Sequence, residues 1–413
     1  MDVRTLKDMH SWAEWRMVSK GYDLICMNVR TWRYRWAVKA AQVAKSANPA
    51  VQIWAGGMHV TVARDEMIEA GVFDVLWQGE AETGFVDVLK QGPVEKPIIS
   101  PSTFIGEVPD LDSLPFINRS IWPIAPGNEA QSTWPLEGPC GWGPGPKVAT
   151  IITSRLCPFK CAFCYPSEKL HFRQYRRRSV AHVMEELKYI DRTWGPINSV
   201  VIHDSEFFID RRWLEEFLAE YPKAGNWPYW AAARADVVCK WPELFEALVR
   251  DTNWRTVSIG FESGSDNVLK ILNKGCTRAQ NDGAIELVNR IGDQLEAEGR
   301  VALAMFANIM LAIPGETQED AFETLRMVAQ VKRSIPSMAF FTPYPGSVMG
   351  NRLIAEGKSL DRGKDYMRFP DKPKVEGVDY DFYRELLGGR YDHELGFSAR
   401  RMVMAQGYSG LPS

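Results

Sequence analysis

Eight residues constrain this chain more than any other stretch. Cys157-Pro158-Phe159-Lys160-Cys161-Ala162-Phe163-Cys164 sets three thiols at C-x3-C-x2-C spacing. They follow a β-branched run, Ala149 to Ser154, that reads as a strand. A loop of this spacing can fold its three sulfurs around one face of a cubane cluster. All-thiolate ligation of a [4Fe–4S] cluster takes four cysteines, and no fourth stands nearby. One iron is therefore left open to a substrate or cofactor, which points to chemistry rather than to electron carriage alone. A structural zinc site is the alternative, but it too needs a fourth ligand, for which His171 is the nearest candidate.

Composition sets outer bounds. A length of 413 residues suggests two or three domains, and 45% hydrophobic with 24% charged residues is ordinary for a globular protein. The formal net charge of -3 gives no sign of a nucleic-acid partner. The basic run Arg173, Arg176, Arg177, Arg178 is local, a solvated face or an anion contact. No apolar run is long enough to span a bilayer and Met1-Asp2-Val3-Arg4 opens no signal peptide. Seven cysteines, an odd number with three packed together, fit a reducing compartment and a cytoplasmic location. Cys26, Cys239 and Cys276 read as inert core thiols, while Cys140 sits in a Gly/Pro-rich loop with no assigned role.

The first hundred residues alternate helix and strand. Helices are expected over Thr5 to Ser19, Arg35 to Ala47 and near Glu66, with strands over Asp23 to Val29, Val51 to Ala55 and Phe73 to Trp77. This alternation argues for a parallel, doubly wound sheet whose ligands bind at the C-terminal strand ends, where Gly56, Gly57 and Gly79 fall. Those glycines either let the backbone approach a ligand or simply make tight strand-to-helix turns. The words Gly56-Gly57-Met58-His59-Val60-Thr61 and Asp74-Val75-Leu76-Trp77-Gln78-Gly79-Glu80-Ala81-Glu82-Thr83 resemble the second half of the cobalamin-binding domain that precedes many cluster enzymes. The resemblance implies a truncated Rossmann-like (flavodoxin-like) domain over 1–91, with Gly56, Gly57, His59 and Gly79 as cobalamin contacts. Only three of about five strands are found, and the first β-α-β stretch is missing ahead of Thr5. Either the chain begins at an internal start or the domain has become a structural cap. No Asp-x-His-x-x-Gly occurs, so a histidine replacing the cobalt's lower ligand is not expected; neither His59 nor His10 lies in that context.

Residues 92–147 are rich in Pro, Gly and Trp and read as a linker without long helices. Its aromatics (Phe104, Phe116, Trp122, Trp134, Trp142) are expected to pack across the second domain. From Lys147 the chain alternates again. Strands are expected at Val148 to Thr153, Ser199 to His203, Tyr229 to Ala233, Arg255 to Phe261, Ala302 to Leu311 and Met338 to Thr342, with helices between them. Six βα units fit a partial (β/α)6 TIM-like barrel over 148–349, leaving 350–413 as a C-terminal extension.

Six such units with the cysteine loop after the first strand resemble the radical S-adenosylmethionine (SAM) superfamily, from about Lys147 to Gly350. The resemblance implies that Cys157, Cys161 and Cys164 hold a [4Fe–4S] cluster and that Phe163 packs near adenine. It also assigns the strand ends. Asp204, Ser205 and Glu206, in His203-Asp204-Ser205-Glu206, would meet the amino group of SAM, although Asp204 or Ser205 could simply cap a turn. Arg234 would pair with its carboxylate, or else with Asp236. Glu262 and Ser263 would bond ribose or methionine groups, and Lys274 the carboxylate. Asn308 and Pro314, in Ile313-Pro314-Gly315-Glu316-Thr317, would frame adenine; Pro314 and Gly315 could equally punctuate an N-capped helix. Ala312 replaces a glycine often found there. Tyr344-Pro345-Gly346-Ser347 and Val375-Glu376-Gly377-Val378-Asp379-Tyr380 are similar to cobalamin-associated members.

The implied chemistry is reductive cleavage of SAM to a 5′-deoxyadenosyl radical that abstracts hydrogen from an unactivated carbon. With cobalamin the leading reaction is methyl transfer to carbon or phosphorus; without it, oxidation, rearrangement or cyclisation. A non-catalytic iron–sulfur or zinc protein is the reading from another class. Partners would be a small-molecule or peptide substrate and an electron donor such as flavodoxin or ferredoxin.

Overall fold

The computed structural model describes residues 11–82, 84–92, 102–119, 148–165, 175–194, 196–368 and 372–399. His10, His171, Arg173, Cys140, Trp122, Trp134 and Trp142 lie outside these residues, as does the start of the first expected helix.

The N-terminal elements are short and alternate. Ser11 accepts the Glu14 N–H and starts α1 (Trp12–Ser19). Then come β1 (Leu24–Asn28), α2 (Tyr34–Ala47), β2 (Gln52–Gly56), α3 (Met58–Val62), α4 (Arg64–Glu69), β3 (Val75–Gly79) and α5 (Phe85–Lys90). Helix α2 turns Ala37, Ala40, Ala41 and Ala44 inward, a 3.6-period stripe of small residues. A fourth strand, β4 (Ser102–Gly106), corrects the count of three and falls within the stretch read as linker. Its Ser-Thr-Phe-Ile run is too brief to stand out beside Pro97, Pro101 and Pro109. All four strands are parallel in the order β1-β2-β3-β4, as in one wing of a doubly wound sheet.

The second sheet begins with β5 (Val148–Ile151). A small antiparallel pair, β6 (Ser154–Arg155) with β7 (Arg176–Arg177), flanks the cysteine loop. After α6 (Val180–Trp194) the chain repeats β8 (Ser199–Ile202), α7 (Arg211–Ala224), β9 (Tyr229–Ala233), α8 (Ala235–Lys240) and α9 (Pro242–Asp251). It continues with β10 (Trp254–Glu262), α10 (Asp266–Ile271), α11 (Arg278–Ala297), β11 (Ala304–Leu311), α12 (Gln318–Val328) and β12 (Ser334–Phe340). The six large strands are parallel and ordered β12-β11-β10-β9-β8-β5, a curled half-barrel. β12 starts four residues before the expected Met338, because Pro336 is tolerated at a sheet edge. Capping boxes at Thr277 and Thr317 start α11 and α12. Then follow α13 (Val348–Ala355), α14 (Tyr380–Gly388) and α15 (Asp392–Leu395).

Two compact units result. The described part of the first takes residues up to Leu114 together with 162–165 and Thr342–Met367. Its core joins Ile25, Ile53, Val60, Met67 and Leu76 to Tyr344 and Tyr366. The second holds the half-barrel, residues 368 onward included. Its core lies between sheet and helices, with Trp254 fully buried against Tyr229, Phe207, Phe208 and Phe245. The three thiols expected in cores are not buried: Cys26 is exposed, and Cys239 and Cys276 are half-buried.

Candidate active site

The cysteine loop is anchored from below by a buried carboxylate. Asp204, just past β8, accepts the Thr153 N–H at 2.6 Å, the Ser154 N–H at 3.0 Å and the Thr153 hydroxyl. The Arg177 guanidinium stands 3.8 Å away, stacked at 3.7 Å over Trp213. Burial pushes the Asp204 carboxyl up, and Arg177 and the donated hydrogen bonds pull it back. The expectation that Asp204 meets the SAM amino group is corrected: its oxygens are committed to the turn that precedes the cysteines. Beyond that turn Leu156 takes a left-handed backbone (φ 67°), uncommon for a branched residue, and delivers Cys157.

Above the loop the half-barrel brings charges together. Arg234, just past β9, places Nη1 at 3.6 Å from the Cys161 sulfur and its guanidinium at 3.7 Å over the Phe159 ring. It also bonds Asp236 at 2.9 Å, the alternative partner expected for it, and the Lys274 carbonyl at 2.6 Å. Burial opposes the charge of Arg234, and Asp236 with the nearby Cys161 raises its pKa nonetheless. Strand β10 loses register between Gly260 and Glu262, and Glu262 sits at φ 64°. The bulge aims Glu262 at Lys274, with Oε1 and Nζ 3.1 Å apart. A Cβ on Gly260 would lie 2.5 Å from that same oxygen, so a larger residue there would displace the Glu262 carboxylate. Burial works against the ammonium of Lys274, and Glu262 lifts it back above its ordinary value.

Glu206 completes the group. It is buried, its Oε1 has no hydrogen-bond partner, and burial drives its carboxyl up to about 8 against the pull of Arg234 and Lys274. A buried carboxyl with an unpaired oxygen suits an ammonium, and the two cations beside it suit a carboxylate. Cys157 is also held as a thiol by burial.

Other expected contacts lie elsewhere. Ser205 is exposed, whereas Ser263 is buried with its hydroxyl 2.9 Å from that of Thr324. Asn308 donates to the Ser258 hydroxyl at 2.9 Å, and Pro314 is half-buried beyond β11. Next to Pro314, Glu316 accepts a 2.6 Å bond from Tyr383 on α14. No sequence pattern pointed to that pair, and Phe159 is marked there only as an aromatic inside the C-x3-C segment. Phe163 and Cys164 cluster with the first unit.

In the first unit Gly57 (φ 95°) and Gly79 (φ 78°) take backbones that side chains rarely adopt, and a Cβ on Gly57 would meet the Asn28 side chain at 2.2 Å. Gly56 ends β2 with ordinary contacts. His59 is a correction as a cofactor contact. Helix α3 turns it wholly inward, 4.6 Å from the Tyr34 ring and 5.7 Å from Tyr366, with Nε2 3.4 Å from Glu66. Burial raises the Glu66 carboxyl, but the Tyr366 hydrogen bond and the neighbouring His59 bring it below its ordinary value.

Comparison with known proteins gives this geometry its context. Residues 151–328 match the Radical SAM superfamily model, and residues 13–89 match the B12 binding domain. The chain carries a radical SAM domain. This radical SAM enzyme is 25% identical to an uncharacterized methyltransferase of Pyrococcus horikoshii, covering 82% of the chain and 71% of that protein. It is 24% identical to an anaerobic magnesium-protoporphyrin IX monomethyl ester cyclase of Rubrivivax gelatinosus, over 77% of the chain and 56% of that protein. Its fold is that of TsrM, a radical SAM methyltransferase from Kitasatospora setae, at a TM-score of 0.61 and 14% identity, covering 86% of the chain and 70% of TsrM.

The residues present fit the cofactors of the family. Three thiols at the family spacing would supply the cluster's donor set, with the Arg234 guanidinium standing 3.6 Å from the Cys161 sulfur. No helix among the described residues is long and apolar enough to cross a membrane.

Proposed function

We propose that this enzyme transfers a methyl group to an unactivated carbon or to phosphorus, with cobalamin as the methyl carrier. The observation that carries the SAM-binding part is the orphan Oε1 of Glu206 beside Arg234 and Lys274. An α-amino acid end is an ammonium next to a carboxylate, and this layout offers an acceptor next to cations. Glu206 would take the ammonium, and Arg234 and Lys274 the carboxylate. Glu262 would hold Lys274 and reach the ribose, while Asn308 and Pro314 would border the adenine and Phe163 stack near it. Ser205 and Ser263 remain flanking contacts by sequence position. Cys157, Cys161 and Cys164 would ligate the cluster, which with SAM supplies one-electron cleavage and a 5′-deoxyadenosyl radical. Gly56, Gly57 and Gly79 would let the first unit's backbone approach cobalamin.

The match to the B12 binding domain and the methyltransferase among the relatives support this reading. The cyclase relative favours a second one, radical oxidation or ring formation without methyl transfer. We further propose a cytoplasmic enzyme with a small-molecule or peptide substrate and a flavodoxin or ferredoxin as electron donor. With a formal net charge of -3, nucleic acid is not an expected partner.

Anaerobic reconstitution tests the assignment. The wild type should form 5′-deoxyadenosine under dithionite, retain cobalamin, and form S-adenosylhomocysteine once given substrate. Glu206→Gln should raise the KM for SAM at least tenfold, the loss of a charge-assisted bond. Product from Cys157→Ala would remove the cluster assignment, and failure to retain cobalamin would leave the second reading.

A further inference from the structure

The concave face of the half-barrel carries a surface that no proposed cofactor contact uses. Side chains alternate along a strand, and the outer set, including Ala149, Ile151, Val200 and Ala231, packs under the helices. The inner set forms a separate apolar patch of Val148, Val201 and Ala304, with the Trp230 indole packed on it. Val201 is in register with Trp230 across β8 and β9. His203, two residues further along, stands one pleat higher, exposed, with its ring 6.0 Å from the indole.

Trp230 has one unusual feature. Its Nε1 is buried and has no hydrogen-bond partner. Trp15, Trp77, Trp213 and Trp254 each donate theirs to a backbone carbonyl at 2.7–3.0 Å. An indole nitrogen can only donate, so a buried unpaired one calls for an acceptor that the protein does not supply. The charges of the site, Glu206, Arg234, Glu262 and Lys274, all lie at or beyond the C-terminal strand ends. None belongs to the apolar patch around Trp230.

We propose that the barrel interior holds the substrate by a flat, uncharged group with one acceptor atom, which takes the Trp230 indole N–H beside His203. The inference rests on the radical SAM reading, since it is the substrate of that reaction that would enter here. The four charges named above sit at the strand ends rather than in the patch, so a charged end would meet Val148, Val201 and Ala304 there, and a saturated chain would leave the donor unpaired.

Three probes separate shape, acceptor and charge: quinoline (flat, one acceptor), naphthalene (the same shape without it) and 2-naphthoate (charged). Their binding to the full-length, reconstituted enzyme with SAM is measured by anaerobic equilibrium dialysis. Quinoline should bind roughly five- to tenfold tighter than naphthalene, the worth of one hydrogen bond, and 2-naphthoate at least tenfold more weakly than quinoline. Trp230→Phe keeps a ring and loses the donor, so it should erase the quinoline advantage while naphthalene changes less than about twofold. His203→Ala should weaken both neutral probes. The proposal fails if wild type shows no saturable quinoline binding, if Trp230→Phe keeps the advantage, or if 2-naphthoate binds equally well. Substrate-independent 5′-deoxyadenosine formation by the wild type is read in parallel. Its absence would sink the underlying reading, and its presence beside failed probes would sink only this subsite.

Discussion

Gly57 shows how a single residue can be tied to one conformation. Its φ of 95° and ψ of -169° lie in a region open essentially to glycine alone. Gly57→Ala should cost about 1–3 kcal/mol, read as a lower urea midpoint with the far-ultraviolet spectrum preserved. An unchanged midpoint would mean that the turn relaxes without strain. Glu316 gives a prediction in pH. Burial lifts its carboxyl from the ordinary 4.5 to about 7, even with Tyr383 donating to it. The folded state therefore holds this proton more tightly than the unfolded chain does. Its contribution to stability is full below pH 4.5 and is lost as pH rises toward 7. Glu316→Gln should flatten that part of a thermal-midpoint profile measured from pH 4.5 to 8. Parallel profiles for wild type and variant would show that Glu316 does not titrate there.

Among the elements, the turn between β5 and β6 depends on a side chain from another strand. Asp204 accepts both of its N–H groups and faces Arg177, so Asp204→Ala would strand a buried guanidinium and two backbone donors. The expected loss is about 3–5 kcal/mol, and iron per chain after reconstitution should fall with it. Full iron content in a destabilised variant would separate the turn from the cluster. This is also where sequence reading reached its limit. Six barrel strands were legible because β-branched runs such as Ser199–Ile202 recur between amphipathic helices. Asp204 was misread because its partners, Thr153 and Ser154, lie some fifty residues upstream, where no periodicity links them. His59 follows two glycines like a ligand-loop residue, yet α3 begins at Met58 and turns it into the core. Strand β4 was missed because five residues among prolines carry too little pattern.

At the scale of the whole molecule, the first unit is discontinuous in sequence. Tyr366 donates to Glu66 at 2.6 Å, and a Cβ on Gly346 would lie 2.5 Å from the Val62 side chain, so Thr342–Met367 belongs to that core. A fragment ending at Leu114 should therefore lack a cooperative thermal transition by circular dichroism. Adding a peptide of residues 342–367 in trans should restore part of it. A sharp transition from the fragment alone would show that the late segment is dispensable.

The same discontinuity sets a clock on synthesis. Leu114 leaves the ribosome about 250 residues before Tyr366, which at cellular elongation rates is roughly 12 to 50 s. Through that interval the nascent first unit must wait with His59, Val62 and Glu66 short of their last neighbours. The barrel meanwhile is emerging strand by strand in its spatial order. The first part of the chain to be made is thus among the last to be finished, and it is the part that would have to be held open by chaperones.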